Sequence, residues 1–215
     1  MIGTPISEKL VGDHRILFLM AAPAEYGAHL KRLFTPLIVG VGPVEAAVGT
    51  ASALARLAAN GRAPHIVVSL GSAGSRTLDH AAVYQASSVS YRDMDASVLG
   101  FAKGTTPYLD LPAEIALPLA VPGIASARLS TGAKFVSGKA YDAIDADMVD
   151  METFAILRAC QSFDVPLVAL RGISDGRSEL TGLSDWTDYL DMVDERLAEA
   201  IEKLEAAIIG GLLTP

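Results

Sequence analysis

Ile16-Leu17-Phe18-Leu19-Met20-Ala21-Ala22 is an unbroken apolar run. A run of this length fits a strand covered on both faces, in a sheet with helices packed against it. Similar runs recur at residues 37–41, 65–70, 83–91 and 166–173, each followed within two residues by Gly, Ser or Asp. Helical patterns lie between several of them. Residues 44–59 form one, opened by Pro43 and closed by Asn60-Gly61, and residues 151–163 form another. The last spans about 190–208, where Leu190, Val193, Leu197, Ile201, Leu204 and Ile208 recur at spacings of three and four before Gly210-Gly211. Strand and helix alternating along the chain predict an α/β fold with a mostly or partly parallel sheet. No repeat, low-complexity stretch or linker divides residues 1–215, so a single domain is expected. Residues 104–123, with four prolines, form the least regular segment and the candidate mobile loop.

Composition narrows the function. The 215 residues carry 17 basic and 25 acidic side chains, a net charge of −8, with 51% hydrophobic residues and one cysteine. That hydrophobicity excludes a mainly disordered chain, and a lone Cys160 excludes an internal disulfide framework. No basic cluster longer than Lys31-Arg32 occurs, which argues against nucleic acid and favours a small-molecule ligand. The longest apolar candidate, residues 16–24, falls short of the roughly 18 to 20 residues of a membrane span, and the N-terminus lacks a signal layout. A cytoplasmic protein with no membrane association is therefore expected.

Familiar nucleotide motifs are absent. Gly40-Val41-Gly42 invites a dinucleotide reading, but Glu45 stands where the third glycine belongs, and no Gly-Lys-Ser/Thr occurs. The histidines His14, His29, His65 and His80 are scattered, and Cys160 falls within a helix, so no metal site is expected. Gly71-Ser72-Ala73-Gly74-Ser75, after the strand at 65–70, could bring backbone amides and the Ser72 hydroxyl to a ligand. A tight turn explains its glycines equally well.

Three acids sit near apolar strand ends. Asp175 closes Arg171-Gly172-Ile173-Ser174-Asp175, at a sheet edge where α/β crevices form. Partial desolvation there would raise its pKa and suit it to donate a proton, although a helix cap or turn is an equally ordinary role. Glu152 opens the helix at 151–163, as a first-turn acid favoured by the dipole or as an acceptor for two sugar hydroxyls. Glu25 follows the first strand, where a solvated loop charge is the alternative.

Together these segments resemble the nucleoside phosphorylase superfamily, and most closely its branch of 5′-methylthioadenosine/S-adenosylhomocysteine nucleosidases. The matching stretches, in family order, begin with residues 41–47 (Val-Gly-Pro-Val-Glu-Ala-Ala), Leu70-Gly71-Ser72-Ala73-Gly74 and Tyr91-Arg92-Asp93-Met94-Asp95. They continue with Lys134-Phe135-Val136-Ser137-Gly138, Val149-Asp150-Met151-Glu152 and Arg171-Gly172-Ile173-Ser174-Asp175. The resemblance implies a central mixed β-sheet, partly barrel-like and flanked by helices, assembled as a homodimer. It implies Asp175 as the acid at N7 of adenine, held by Ser174, with Phe135 stacking on the purine and the Val136 backbone reading its edge. Met151 and Glu152 would contact ribose, and Glu25 would activate water beside Ser72 and Arg171. No cofactor is implied.

Splitting a ribosyl N-glycosidic bond needs a donor at the base and a proton acceptor at water, so the two carboxyls must titrate apart. Departures from the family include Pro43 in place of a common lysine, Asp150 in place of glutamate, and Ala22-Pro23-Ala24 before Glu25. Leu99 replaces a frequent aromatic, which implies a 5′ pocket of different shape, and Trp186 and Tyr189 are placed to close over the site. The leading expectation is adenine release by hydrolysis within methionine salvage. The alternatives are a phosphorylase using phosphate, disfavoured by Glu25, and a non-catalytic nucleoside binder.

Overall fold

The computed structural model describes residues 5–176 and 189–214. Its strands are β1 (Lys9–Val11), β2 (His14–Met20), β3 (Leu37–Ile38), β4 (Ile66–Gly74), β5 (Val83–Tyr91), β6 (Glu114–Ala116), β7 (Ala125–Thr131), β8 (Met148–Asp150) and β9 (Leu167–Asp175). The helices used below are α1 (Pro43–Ala59), α2 (Thr153–Gln161) and α3 (Leu190–Ile209).

The apolar run at residues 16–22 forms most of β2, and its two faces feed two different cores. Leu17 and Leu19 join Val67, Leu167 and Ala169 beneath α1 and α2, with Leu54, Leu57, Ile156 and Cys160 from those helices. Ile16, Phe18 and Met20 point the other way, to Ile66, Val68 and Leu170 under Val193, Leu197, Ile201 and Leu204 of α3. Successive strand residues face opposite sides, so a strand covered on both must be apolar throughout. Each such side chain contributes roughly 1.5–3 kcal/mol of transfer free energy.

The sheet is mixed and partly closed. β2, β4 and β9 run parallel, β8 is antiparallel to β4, β7 and β5 run parallel to β8 and to each other, and β5 returns antiparallel to β9. Because β9 pairs with both β4 and β5, the strands β4, β8, β7, β5 and β9 make a five-stranded barrel, which β1, β2, β3 and β6 extend. This is the mixed, partly barrel-like sheet expected.

Several boundaries differ from the sequence reading. β4 does not end in a turn at Gly71; it continues to Gly74, and neither glycine has positive φ. The strand at 166–173 likewise runs on to Asp175. The helix expected at 151–163 starts at Thr153 rather than Met151, because Asp150 caps it: its Oδ2 accepts the Thr153 N–H at 3.0 Å. Residues 104–123 contain only β6 as regular structure. No helix among the described residues is long and apolar enough to cross a membrane.

Candidate active site

β4 and β8 pair only at Gly74 and Val149, close to the carboxyl ends of both strands, and Gly74 also pairs with Asp175 at the end of β9. Strands of opposite direction therefore bring their carboxyl ends to one place. A cavity of about 520 Å³ opens there. Of the nine residues singled out in sequence, Glu25, Ser72, Phe135, Val136, Met151, Glu152 and Asp175 line it. Arg171 and Ser174 stand behind the wall. Trp186 lies outside the described residues, while Tyr189 meets His80 edge-on at 5.1 Å, away from the cavity lining. Leu99 is 74% exposed and also lies outside it.

Glu25 ends a short 3-10 helix, Pro23–Glu25, directly after β2. Its Oε1 accepts the Ser72 backbone N–H and the Ser72 hydroxyl, both at 2.7 Å. Its Oε2 is buried and has no partner among the described residues. A Cβ on Gly71 would stand 3.0 Å from Oε1, so this glycine serves close approach rather than a turn. Burial raises the Glu25 pKa, against the pull of the Ser72 donors and the Arg171 charge. One oxygen is thus fixed and the other is available to accept a proton.

Asp175 is buried and faces the same cavity. The register of β9 against β4 slips at Ala73/Gly74, so that Gly74 opposes Asp175. Neighbouring side chains of a regular strand point to opposite faces and cannot meet. The bulge lets the Ser174 hydroxyl donate to Asp175 Oδ1 at 2.7 Å. Burial raises the Asp175 pKa, partly offset by Ser174 and the charge of His80. Such a carboxyl is suited to hold a proton and release it to a base.

Glu152 is the N-cap residue of α2 but makes no capping bond there. Its Oε1 instead accepts the Gly42 N–H at 2.8 Å, at the N-terminus of α1, where the helix dipole favours a carboxylate. Gly42 has φ of +94°, a conformation that favours glycine. The second glycine of Gly40-Val41-Gly42 therefore holds an acid, and its amide is not free for a phosphate. Burial, then repulsion from Asp150, pushes the Glu152 pKa up to about 7.

Arg171 has a supporting role that its sequence position did not reveal. It is fully buried, paired with Asp150 Oδ2 at 3.0 Å, and its remaining N–H groups reach Ser69, Leu170 O and Thr153 Oγ1. Asp150 in turn accepts from Thr131 Oγ1 at 2.6 Å. This network locks β4, β7, β8 and β9 behind the cavity, and its cation lowers both Glu25 and Glu152.

Arg92 is a lining residue to which sequence reasoning attached no role. It donates to the carbonyls of Ser130, Asp150, Gly132 and Lys134, and so fixes the loop that carries Phe135 and Val136. Its signal was present in Tyr91-Arg92-Asp93, but a single arginine after a strand does not disclose four carbonyl partners. Phe135 is half exposed at the rim and Val136 is buried. No group of three or more potential metal ligands occurs among the described residues.

Comparison with known proteins places the chain in a family. The family model described as "Phosphorylase superfamily" matches residues 124–209. The chain is 27% identical over 216 residues to the 5′-methylthioadenosine/S-adenosylhomocysteine nucleosidase of Haemophilus ducreyi, covering 91% of this chain and 90% of the relative. It is 30% identical over 190 residues to the Haemophilus influenzae protein of the same name, covering 80% and 76%. Its fold matches the futalosine hydrolase of Helicobacter pylori with a TM-score of 0.74 at 19% identity, covering 89% of this chain and 97% of the other. The chain belongs to the 5′-methylthioadenosine/S-adenosylhomocysteine nucleosidase family of the phosphorylase superfamily.

Proposed function

We propose that the chain hydrolyses the N-glycosidic bond of 5′-methylthioadenosine, S-adenosylhomocysteine or a related 5′-substituted adenosine, releasing adenine. The observation that carries this reading is the pair of buried acids, Glu25 with an Oε2 that has no partner among the described residues and Asp175 with a raised pKa, facing one cavity. As the C1′–N9 bond breaks, its electron pair moves into the purine, and Asp175 gives a proton to N7. Water bonds to C1′ and loses a proton to Glu25. Glu152 accepts from the ribose hydroxyls, Met151 packs on the sugar, Phe135 stacks on the base, and the Val136 backbone reads its edge. Arg171 and Ser174 act from behind, through Asp150 and Asp175.

A phosphate nucleophile fits less well. It would have to lie beside the Glu25 carboxylate, while Arg92, a cation in the cavity wall, already gives its Nη1 and Nη2 donors to four carbonyls. Adenine specificity is part of the proposal. A panel of adenine and hypoxanthine nucleosides with varied 5′ groups, assayed with and without phosphate, tests it. Adenine release independent of phosphate supports the reading; phosphate-dependent formation of a ribose 1-phosphate refutes it.

The reading includes a cytoplasmic homodimer acting in methionine salvage, with the chain as one domain. Exposed Val41, Val44 and Val48 at α1, and Val98 and Leu99 beyond β5, support the homodimer as apolar surface suited to a second copy. Light scattering of wild type against Val44→Glu/Val48→Glu tests it: a monomeric wild type contradicts the assembly.

A further inference from the structure

Tyr141 lies in a 3-10 helix, Gly138–Ala143, beyond the loop that carries Phe135. Its ring packs with Val136 and Val149, both walls of the cavity. The side chain is only 8% exposed, and its hydroxyl has no hydrogen-bond partner among the described residues. A phenylalanine would fill the same space without burying an unpaired hydroxyl, which is unfavourable. Gly74 marks where that hydroxyl points. A Cβ there would collide with Tyr141 Oη and stand 2.8 Å from Asp175 Oδ2. The two oxygens flank one bare stretch of backbone, while Oδ1 of the same carboxyl is already held by Ser174.

We propose that Tyr141 is a positioning residue for Asp175: once the proton has passed to the base, its hydroxyl donates to Oδ2, so that Ser174 and Tyr141 together hold the carboxylate that forms. This rests on the nucleosidase reading above. The proton moves from Asp175 to N7 as the C1′–N9 electron pair enters the purine, and the new negative charge on Oδ2 meets a donor that serves no acceptor among the described residues. Among the described residues, the charged and titratable groups facing this pair are His80, whose charge acts on Asp175, Arg92, and Arg76 with its guanidinium 5.6 Å from the Tyr141 ring centre.

The test is the pH dependence of adenine release by Tyr141→Phe, with Asp175→Asn and wild type in parallel, repeated in a His80→Asn background to remove the histidine's titration. Losing a donor to the ionised form raises the Asp175 pKa, so the alkaline limb of kcat should move up by about one pH unit. At the plateau kcat should fall by up to about 10-fold, because a weaker acid transfers its proton less readily, while KM stays unchanged. Should the phenylalanine variant not fold, 3-fluorotyrosine at position 141, a stronger donor of nearly equal size, should move the limb downward. An unmoved limb, or a fall in kcat with no shift, overturns the proposal even if Asp175→Asn is inactive. An inactive wild type overturns the nucleosidase reading itself.

Discussion

Ser72→Ala isolates the hold on Glu25. In the wild type Oε1 accepts two donors at 2.7 Å, the Ser72 amide and the Ser72 hydroxyl, while Oε2 accepts none from the described residues. The alanine variant keeps the amide and loses the hydroxyl. A hydrogen bond to a charged group is worth about 1.5–3 kcal/mol, and the lower figure applies because the surviving amide still anchors the same oxygen. At about 1.36 kcal/mol per pKa unit, that corresponds to an upward shift of roughly one unit. The sign follows from the charge state: both Ser72 donors favour ionised Glu25, and burial already opposes it. The acid limb of kcat should therefore move up by about one pH unit, with most of the plateau rate retained. Saturating substrate is required, since Glu152 titrates on its own account and acts on binding. A limb that stays in place or moves down would refute the assignment of Glu25 as the base held by Ser72.

Other consequences are equally specific. Gly74→Ala should abolish adenine release, because its Cβ would intrude between Tyr141 and Asp175 Oδ2; near-normal activity would contradict the close approach read at that position. Asp150→Asn removes the carboxylate paired with buried Arg171 and should cost about 3–5 kcal/mol of stability, measured by urea denaturation, whereas an unchanged midpoint would show that the network bears little load. Glu152 is charged above its pKa of about 7, so KM should rise as pH falls through neutrality, and Glu152→Gln should flatten that dependence.

The sequence disclosed β2, β3, β4, β5 and β9 and missed β1, β6, β7 and β8. β2, β4 and β9 bury both faces, and their runs announce them. β1, β6 and β8 have three residues each, too few for a pattern, and β7 carries Ser126, Arg128 and Ser130 among its apolar positions. The glycines of β4 looked like a turn because sequence records their flexibility but not what approaches them. In the fold Gly71 makes room for Glu25 and Gly74 for Tyr141 and Asp175.

The site was legible in the same uneven way. Each acid had an ordinary alternative when read alone, and only the fold assembles them. Glu152 looked like a helix-start charge, yet Asp150 takes the capping bond and leaves Glu152 to face Gly42 and the cavity. Arg171 looked like a neighbour of the attacking water, yet its donors are spent on Asp150, Ser69, Leu170 and Thr153. Spacing along the chain records neither the bulge that joins Ser174 to Asp175 nor the four carbonyls gathered by Arg92.

The central claim, that Glu25 and Asp175 split the glycosidic bond with water, is tested most directly by turnover of 5′-methylthioadenosine in 18O-labelled water, in the presence and absence of phosphate. The account predicts free adenine and a ribose product carrying 18O at C1′, at a rate indifferent to phosphate and lost in Asp175→Asn. Adenine release that requires phosphate, or that survives Asp175→Asn undiminished, would contradict it.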